Sequence, residues 1–138
     1  MAGTNDEALV GLVIVSHSAS IADGVAELVA QVAGPDVAII TAGGGPDGTI
    51  GTDGGRVREA LGAADTGAGV VVLVDLGSAV LSVRAALAEL DGDAISHVVL
   101  ADAPLVEGAI SAGVIASTGA PLADVAAAAE EARGARKL

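Results

Sequence analysis

The segment LVGLVIVSHS, residues 9–18, decides the fold. Its first seven residues, Leu9 to Val15, are continuously apolar. Alternating polarity would mark a strand with one wet face, whereas an unbroken run marks a strand covered on both faces, as in a parallel sheet between helix layers. Ser16-His17-Ser18 then break the run. A helical pattern follows, with Ile21, Val25, Leu28, Val29 and Val32 on one face and Asp23, Glu27 and Gln31 on the other. Ser20, with Asp23 three residues on, has the spacing of a capping box. Gly34-Pro35 stops the helix. The segment therefore reads as strand, turn and helix, with a histidine in the turn.

Working outward, the same unit recurs. Residues 37–42 (VAIITA), 70–74 (VVVLV) and 97–101 (HVVLA) are three further apolar runs. Helical patterns cover 54–64, 78–90 and 105–118, and a last one covers 121–133, with Pro121 near its first turn. Strands alternating with helices imply a parallel sheet with right-handed crossovers and helices on both faces. The expected fold class is α/β: a single three-layer αβα domain over 1–138, core about 9–133, with a mainly parallel four-stranded sheet of order 2-1-3-4. The Gly-rich stretch GGGPDGTIGTDGG, residues 43–55, reads as a long loop of the kind that is functional or mobile.

Composition narrows the classes. Apolar residues make up 52% of the 138, yet Phe, Trp and Tyr are absent, so the core must be built from Val, Ile, Leu and Ala. No aliphatic run is long enough to span a bilayer. Met1 to Ala8 is polar and acidic, unlike an export signal. With no cysteine, disulfides, thiol chemistry and Cys-zinc sites are excluded, and a cytoplasmic location is expected. The formal charge of −12, from 18 acidic and 6 basic residues, disfavours nucleic acid and anionic membranes and favours a partner with a basic face. With so few cations, any phosphate must be held mainly by backbone N–H groups and hydroxyls.

In such folds ligands sit beyond the carboxyl ends of the strands, where strand order reverses. With order 2-1-3-4, that point brings together Ser16-His17-Ser18-Ala19 and Asp75-Leu76-Gly77-Ser78. The N–H groups opening the next helix favour an anion there. Imidazole is nucleophilic near neutrality, and its phosphoramidate is labile enough to pass the group on. A hydrogen bond from one ring nitrogen to Asp75 would fix the tautomer and free the other nitrogen to attack. Ser16, Ser18, Gly77 and Ser78 add donors without bulk. The competing reading is a non-catalytic ligand-binding or interaction module, in which His17 merely fills a turn and Asp75 forms one. His97 opens a strand with no partner in view, which assigns it a structural place. Asp53, Asp75 and Glu107 are the acidic residues nearest the crevice by sequence, Asp53 and Glu107 being expected on loops, while Glu130 lies on the last helix.

Other phosphate readings fare worse. Gly43, Gly45 and Gly48 match G-x-G-x-x-G formally, but they follow the second strand, enclose Pro46 and open no clear helix. No Walker A pattern is present. A receiver-type site needs acidic metal ligands after the first strand, where Ser16 and His17 stand, so no metal is expected. No aromatic residue is available to stack on a flavin.

Four segments carry a family resemblance. They are Leu12-Val13-Ile14-Val15-Ser16-His17-Ser18, Ile50-Gly51-Thr52-Asp53, Val74-Asp75-Leu76-Gly77-Ser78-Ala79 and Ala103-Pro104-Leu105-Val106-Glu107-Gly108. In this order they resemble the DhaM family, the phosphotransferase subunits of phosphoenolpyruvate-dependent dihydroxyacetone kinases. The fold of that family is the mannose-type EIIA domain of the sugar phosphotransferase system (PTS). The resemblance covers roughly residues 9–132. It implies a phosphotransferase component in which His17 is the phosphoacceptor and Asp75 its carboxylate partner, with Gly51, Thr52, Gly77 and Ser78 lining the site. It also implies a relay. The histidine phosphocarrier protein HPr phosphorylates His17, and the group passes to ADP on the nucleotide-binding subunit of dihydroxyacetone kinase. A covalent phosphohistidine stands in place of any resident cofactor, and a homodimer in the single-domain form is implied.

Overall fold

The computed structural model describes residues 8–138, so the acidic segment Met1 to Glu7 lies outside the described residues. Four strands form the sheet: β1 (Gly11–Ser16), β2 (Ile39–Gly43), β3 (Val70–Val74) and β4 (Val98–Leu100). Their order is β2-β1-β3-β4, and every pairing is parallel. The helices are α1 (Ala19–Ala33), α2 (Gly54–Ala64), α3 (Gly77–Leu87), α4 (Gly92–Ile95), α5 (Leu105–Ser117) and α6 (Leu122–Glu131), followed by a 3₁₀ turn at Ala132–Gly134. The αβα architecture and strand order expected from the sequence are both present.

The pleat explains the continuous apolar runs. Leu12 and Ile14 of β1, with Val71 and Leu73 of β3, pack under α1, α5 and α6. Val13 and Val15, with Val70 and Val72, pack under α2 and α3 on the opposite face. Each strand thus feeds two cores with alternate side chains, and both sets must be apolar. Small residues set the spacing of the helices. A Cβ at Gly113 of α5 would come within 2.5 Å of a Val29 methyl on α1, so only glycine permits this approach.

The structure changes three local expectations. The core face of α1 is Ala22, Val25, Val29 and Ala33, whereas Ile21, Leu28 and Val32 are each about half exposed. The sheet therefore meets α1 along the neighbouring stripe, where alanine lets the backbones come close. Ser18, not Ser20, caps α1: its hydroxyl accepts from Ile21 N–H, because the helix already begins at Ala19. The stretch read as one helix over 78–90 ends at Leu87, and a separate turn, α4, forms from Gly92 after Asp91 caps it through Ala94 N–H.

Candidate active site

Parallel strands β1 and β3 end side by side, and the chain leaves them in opposite directions across the sheet. His17 follows β1 and Asp75 follows β3, so the crossover geometry places them together. His17 Nδ1 lies 2.9 Å from Asp75 Oδ1, and both side chains are mostly buried, at 19% and 13% exposure. The carboxylate is saturated with donors. Oδ1 also accepts from Leu76 N–H at 2.7 Å, and Oδ2 accepts from the Ser16 hydroxyl at 2.8 Å and His17 N–H at 2.9 Å. Burial pushes the Asp75 carboxyl up, but the bonds from the His17 backbone, the His17 ring, Ser16 and Leu76 outweigh it and hold the group below the usual carboxylate range. An ionised carboxylate can only accept, so the ring proton must sit on Nδ1.

The other ring nitrogen, Nε2, then carries its lone pair outward. Ser78 Oγ lies 2.7 Å away and donates to it. Ser78 stands in the first turn of α3, whose N-cap residue Leu76 offers no side-chain cap. Ala79 N–H is bonded to Leu76 O at 2.9 Å, which leaves the N–H groups of Gly77 and Ser78 to meet an anion beside Nε2. A phosphoryl group arriving at Nε2 would displace the Ser78 hydroxyl, which could turn to donate to a phosphoryl oxygen instead. The arrangement combines an oriented imidazole, a fixed tautomer and a cradle of neutral donors.

The Gly-rich loop closes the opposite wall. Gly51 N–H donates to His17 O at 2.9 Å, and Gly44 N–H to Ser16 O at 3.0 Å. Gly51 has φ +147, in the region that favours glycine. Thr52 does not face His17 through its hydroxyl, which bonds Ser82 Oγ on α3. Ser82 was not singled out by sequence; its only signal is lying one helical turn beyond Ser78. Ser18 is engaged as the α1 cap. Ser16 is fully buried behind Asp75 and its hydroxyl proton is committed to the carboxylate, so it is not a direct phosphate donor. Of the residues singled out as phosphate donors, Ser78 stands beside Nε2 and Gly77 opens the same helix.

Two surface hollows bear on the site. A groove of about 510 Å³ between α3 and the end of β4 includes Asp75, Leu76, Gly77 and Arg84. A larger hollow of about 590 Å³ lies along the β2 edge, lined by Asp23, Thr41, Arg56 and Glu59, and contains neither His17 nor Asp75. Among the described residues, no group of three or more His, Cys, Asp or Glu side chains is placed to hold a metal ion.

The acidic residues fall differently from their sequence order. Asp53 caps α2 through Gly55 N–H. Glu107 is in the first turn of helix α5 rather than on a loop, 2.8 Å from Lys137, whose hydrogen bond holds Glu107 below the usual carboxylate range. Glu130 accepts from Asp102 N–H at 3.0 Å, because α6 runs back along α5 to the carboxyl end of the sheet. Glu107 and Glu130 therefore share an end. His97, expected to lack a partner, has Nδ1 at 3.8 Å from Asp65 Oδ2.

Fold and site together define a class. The chain belongs to the mannose-type IIA family of the phosphotransferase system: the family profile EIIA-man, described as PTS system fructose IIA component, matches residues 11–126. More particularly, it is similar to phosphoryl donor subunits DhaM of dihydroxyacetone kinase. Identity is 42% over 132 residues with the subunit of the PEP-dependent enzyme of Providencia stuartii, covering 94% of this chain and 28% of that protein. Identity is 36% with the subunit of PEP-dependent dihydroxyacetone kinase 2 of Listeria innocua, covering 77% of this chain and 85% of that one. The Escherichia coli subunit is 41% identical, over 83% of this chain and 25% of its own length. The chain thus spans about a quarter of the enterobacterial relatives and most of the Listeria one. A crystal structure of a protein of unknown function superposes with TM-score 0.84 at 35% identity, covering 94% of this chain and 98% of that chain.

Proposed function

We propose that this chain is a phosphoryl carrier that accepts the group on His17 from HPr and delivers it to ADP on the nucleotide-binding subunit of a dihydroxyacetone kinase. The observation that carries the reading is the His17 ring itself. Its Nδ1 is held on an ionised Asp75 and its Nε2 is turned to an uncapped helix start. Family membership and similarity to phosphoryl donor subunits support the same chemistry.

The relay is balanced in each half. The Nε2 lone pair attacks phosphorus as the bond from phosphorus to the carrier's ring nitrogen breaks, and that nitrogen keeps the electron pair. In the second half, a β-phosphate oxygen of ADP attacks phosphorus, the Nε2–P bond breaks, and Nε2 regains its lone pair while ATP forms. Asp75 keeps the Nδ1 proton in place throughout and stabilises positive charge on the phosphorylated ring. Ser78 and the first N–H groups of α3 receive the phosphoryl oxygens, while on the loop side Gly51 N–H steadies the His17 backbone and Thr52 is tied to Ser82 of α3. The acceptor and donor occupy the same crevice in turn. The unit acts as one domain over 1–138, in the cytoplasm, as a homodimer; the half-exposed stripe of Ile21, Leu28 and Val32 is apolar surface available for such a contact. Among the described residues, no helix is long and apolar enough to cross a membrane.

Incubation with phosphoenolpyruvate, enzyme I and HPr, followed by intact-mass measurement, tests the reading. One added, acid-labile phosphate is expected, and the first half-reaction should proceed in EDTA. No mass change would return the chain to the non-catalytic alternative.

A further inference from the structure

Ser16 is the one fully buried polar side chain among the described residues of the core. Its carbonyl and its hydroxyl are both engaged. Its carbonyl accepts from Gly44 N–H on the β2 side. Its hydroxyl accepts from Ser18 N–H at 3.1 Å and donates to Asp75 Oδ2 at 2.8 Å. The direction of that last bond is forced, because an ionised carboxylate has no proton to give. The carboxylate in turn grips the His17 ring through its other oxygen, Oδ1. Ser16 never reaches Nε2, so it lies outside the reacting atoms, yet it holds the group that orients them.

We propose that Ser16 is a positioning residue that locks the plane of the Asp75 carboxylate and, through it, the tautomer and orientation of the His17 ring; the consequence for transfer rests on the phosphoryl-carrier reading. Without the hydroxyl, Oδ2 keeps only His17 N–H, while Oδ1 keeps Leu76 N–H and the ring, so the carboxylate is held less firmly against rotation about its Cβ–Cγ bond. Rotation misaligns Oδ1 with the Nδ1 proton, so the second tautomer, with the proton on Nε2, becomes populated. That form has no lone pair at Nε2 and cannot attack phosphorus. Groups that orient a metal-ligating histidine from behind in the same way carry about 10–100-fold, which sets the scale expected here.

The test is nitrogen NMR of the His17 ring in wild type, Ser16→Ala and Ser16→Thr, with HPr-dependent transfer measured alongside. Wild type should show one tautomer, protonated on Nδ1. Ser16→Ala should show both tautomers and a kcat for phosphoryl acceptance lower by about 10-fold, with KM little changed. Ser16→Thr, which keeps the hydroxyl, should return the single tautomer. A single wild-type tautomer with wild-type kcat in Ser16→Ala overturns the proposal, as does equal impairment in Ser16→Thr, which would point to packing. Should Ser16→Ala fail to fold, the wild type decides: deuteration of the Ser16 hydroxyl must shift the Asp75 carboxyl ¹³C resonance, and no shift refutes the bond. If wild type accepts no phosphate at all, the carrier reading fails while the tautomer arm still judges Ser16.

Discussion

The two ends of the sheet each hold a histidine beside an aspartate, and the two pairs behave differently. At the carboxyl end, His17 and Asp75 are 2.9 Å apart and mostly buried, and Asp75 accepts from four donors. At the amino end, His97 and Asp65 are 3.8 Å apart, with side chains 49% and 31% exposed, and Asp65 takes a turn bond from Gly67 N–H. A separation of 3.8 Å is too long for a hydrogen bond and leaves both groups to water. His97 contributes chiefly through its backbone, accepting from Val70 N–H at the sheet edge. A His–Asp pair in sequence is thus only an opportunity. Convergent donors and burial hold one ring in a single orientation, and their absence leaves the other a surface contact.

The sharpest way to break this contrast is to remove each ring. His17→Gln should abolish phosphoryl acceptance in the mass assay while melting like wild type, and His97→Gln should accept at the wild-type rate. Phosphate on His17→Gln would remove the carboxyl-end pair from the chemistry.

The carboxylates come next. Asp75→Asn should lower the acceptance rate by about 10- to 100-fold, less than the ~10⁴ of hydrolase triads, since no proton is relayed through this ring. Asp65→Asn, which can still make the turn bond, should leave rate unchanged and stability within about 0.5 kcal/mol. Quench-flow kinetics and denaturant melts measure both; equal rate losses would erase the distinction between the ends.

Acid should separate them in stability. The folded carboxyl of Asp75 lies below its ordinary value, so its contribution is fully present above the unfolded value of about 3.9 and disappears as pH falls through the lower folded value. Asp75→Asn should therefore be less stable than wild type by about 1–3 kcal/mol at neutral pH, and the gap should narrow below about pH 4. Thermal melts from neutral to acid pH check the sign; a gap that widens with acid contradicts it. Asp65→Asn should parallel wild type throughout.

The smallest effect concerns encounter with the donor. Because Glu130 shares the carboxyl end with Glu107, Asp36, which follows α1 at the amino end, is the proper distant reference. Glu107→Lys should slow association with HPr by a few-fold at low salt, Asp36→Lys should not, and the difference should fade as the screening length drops from about 10 Å at 0.1 M to about 3 Å at 1 M. Stopped-flow association across a salt series with equal rates for both variants would discard steering toward this face.

The continuous apolar run through Val15 and the alternation of strands with helices specified the parallel sheet, because a doubly covered strand admits no polar face. From strand order and the polar break after β1, the meeting of Ser16-His17 with Asp75 follows, since the switch point is a consequence of topology. The sequence by itself thus determined the class of fold and the meeting of His17 with Asp75. Tertiary structure alone decided finer matters. A helix offers overlapping apolar stripes about 100° apart per residue, and only docking on the sheet chose Ala22 and Val25 over Ile21 and Leu28 for the core. A serine is equally able to cap, bind phosphate or brace a carboxylate. Position in three dimensions made Ser18 the cap, put Ser78 at Nε2 and buried Ser16 behind Asp75. It also separated His17 from His97, because the donors that fix one ring and not the other come from residues distant in the chain and adjacent only once the sheet has formed.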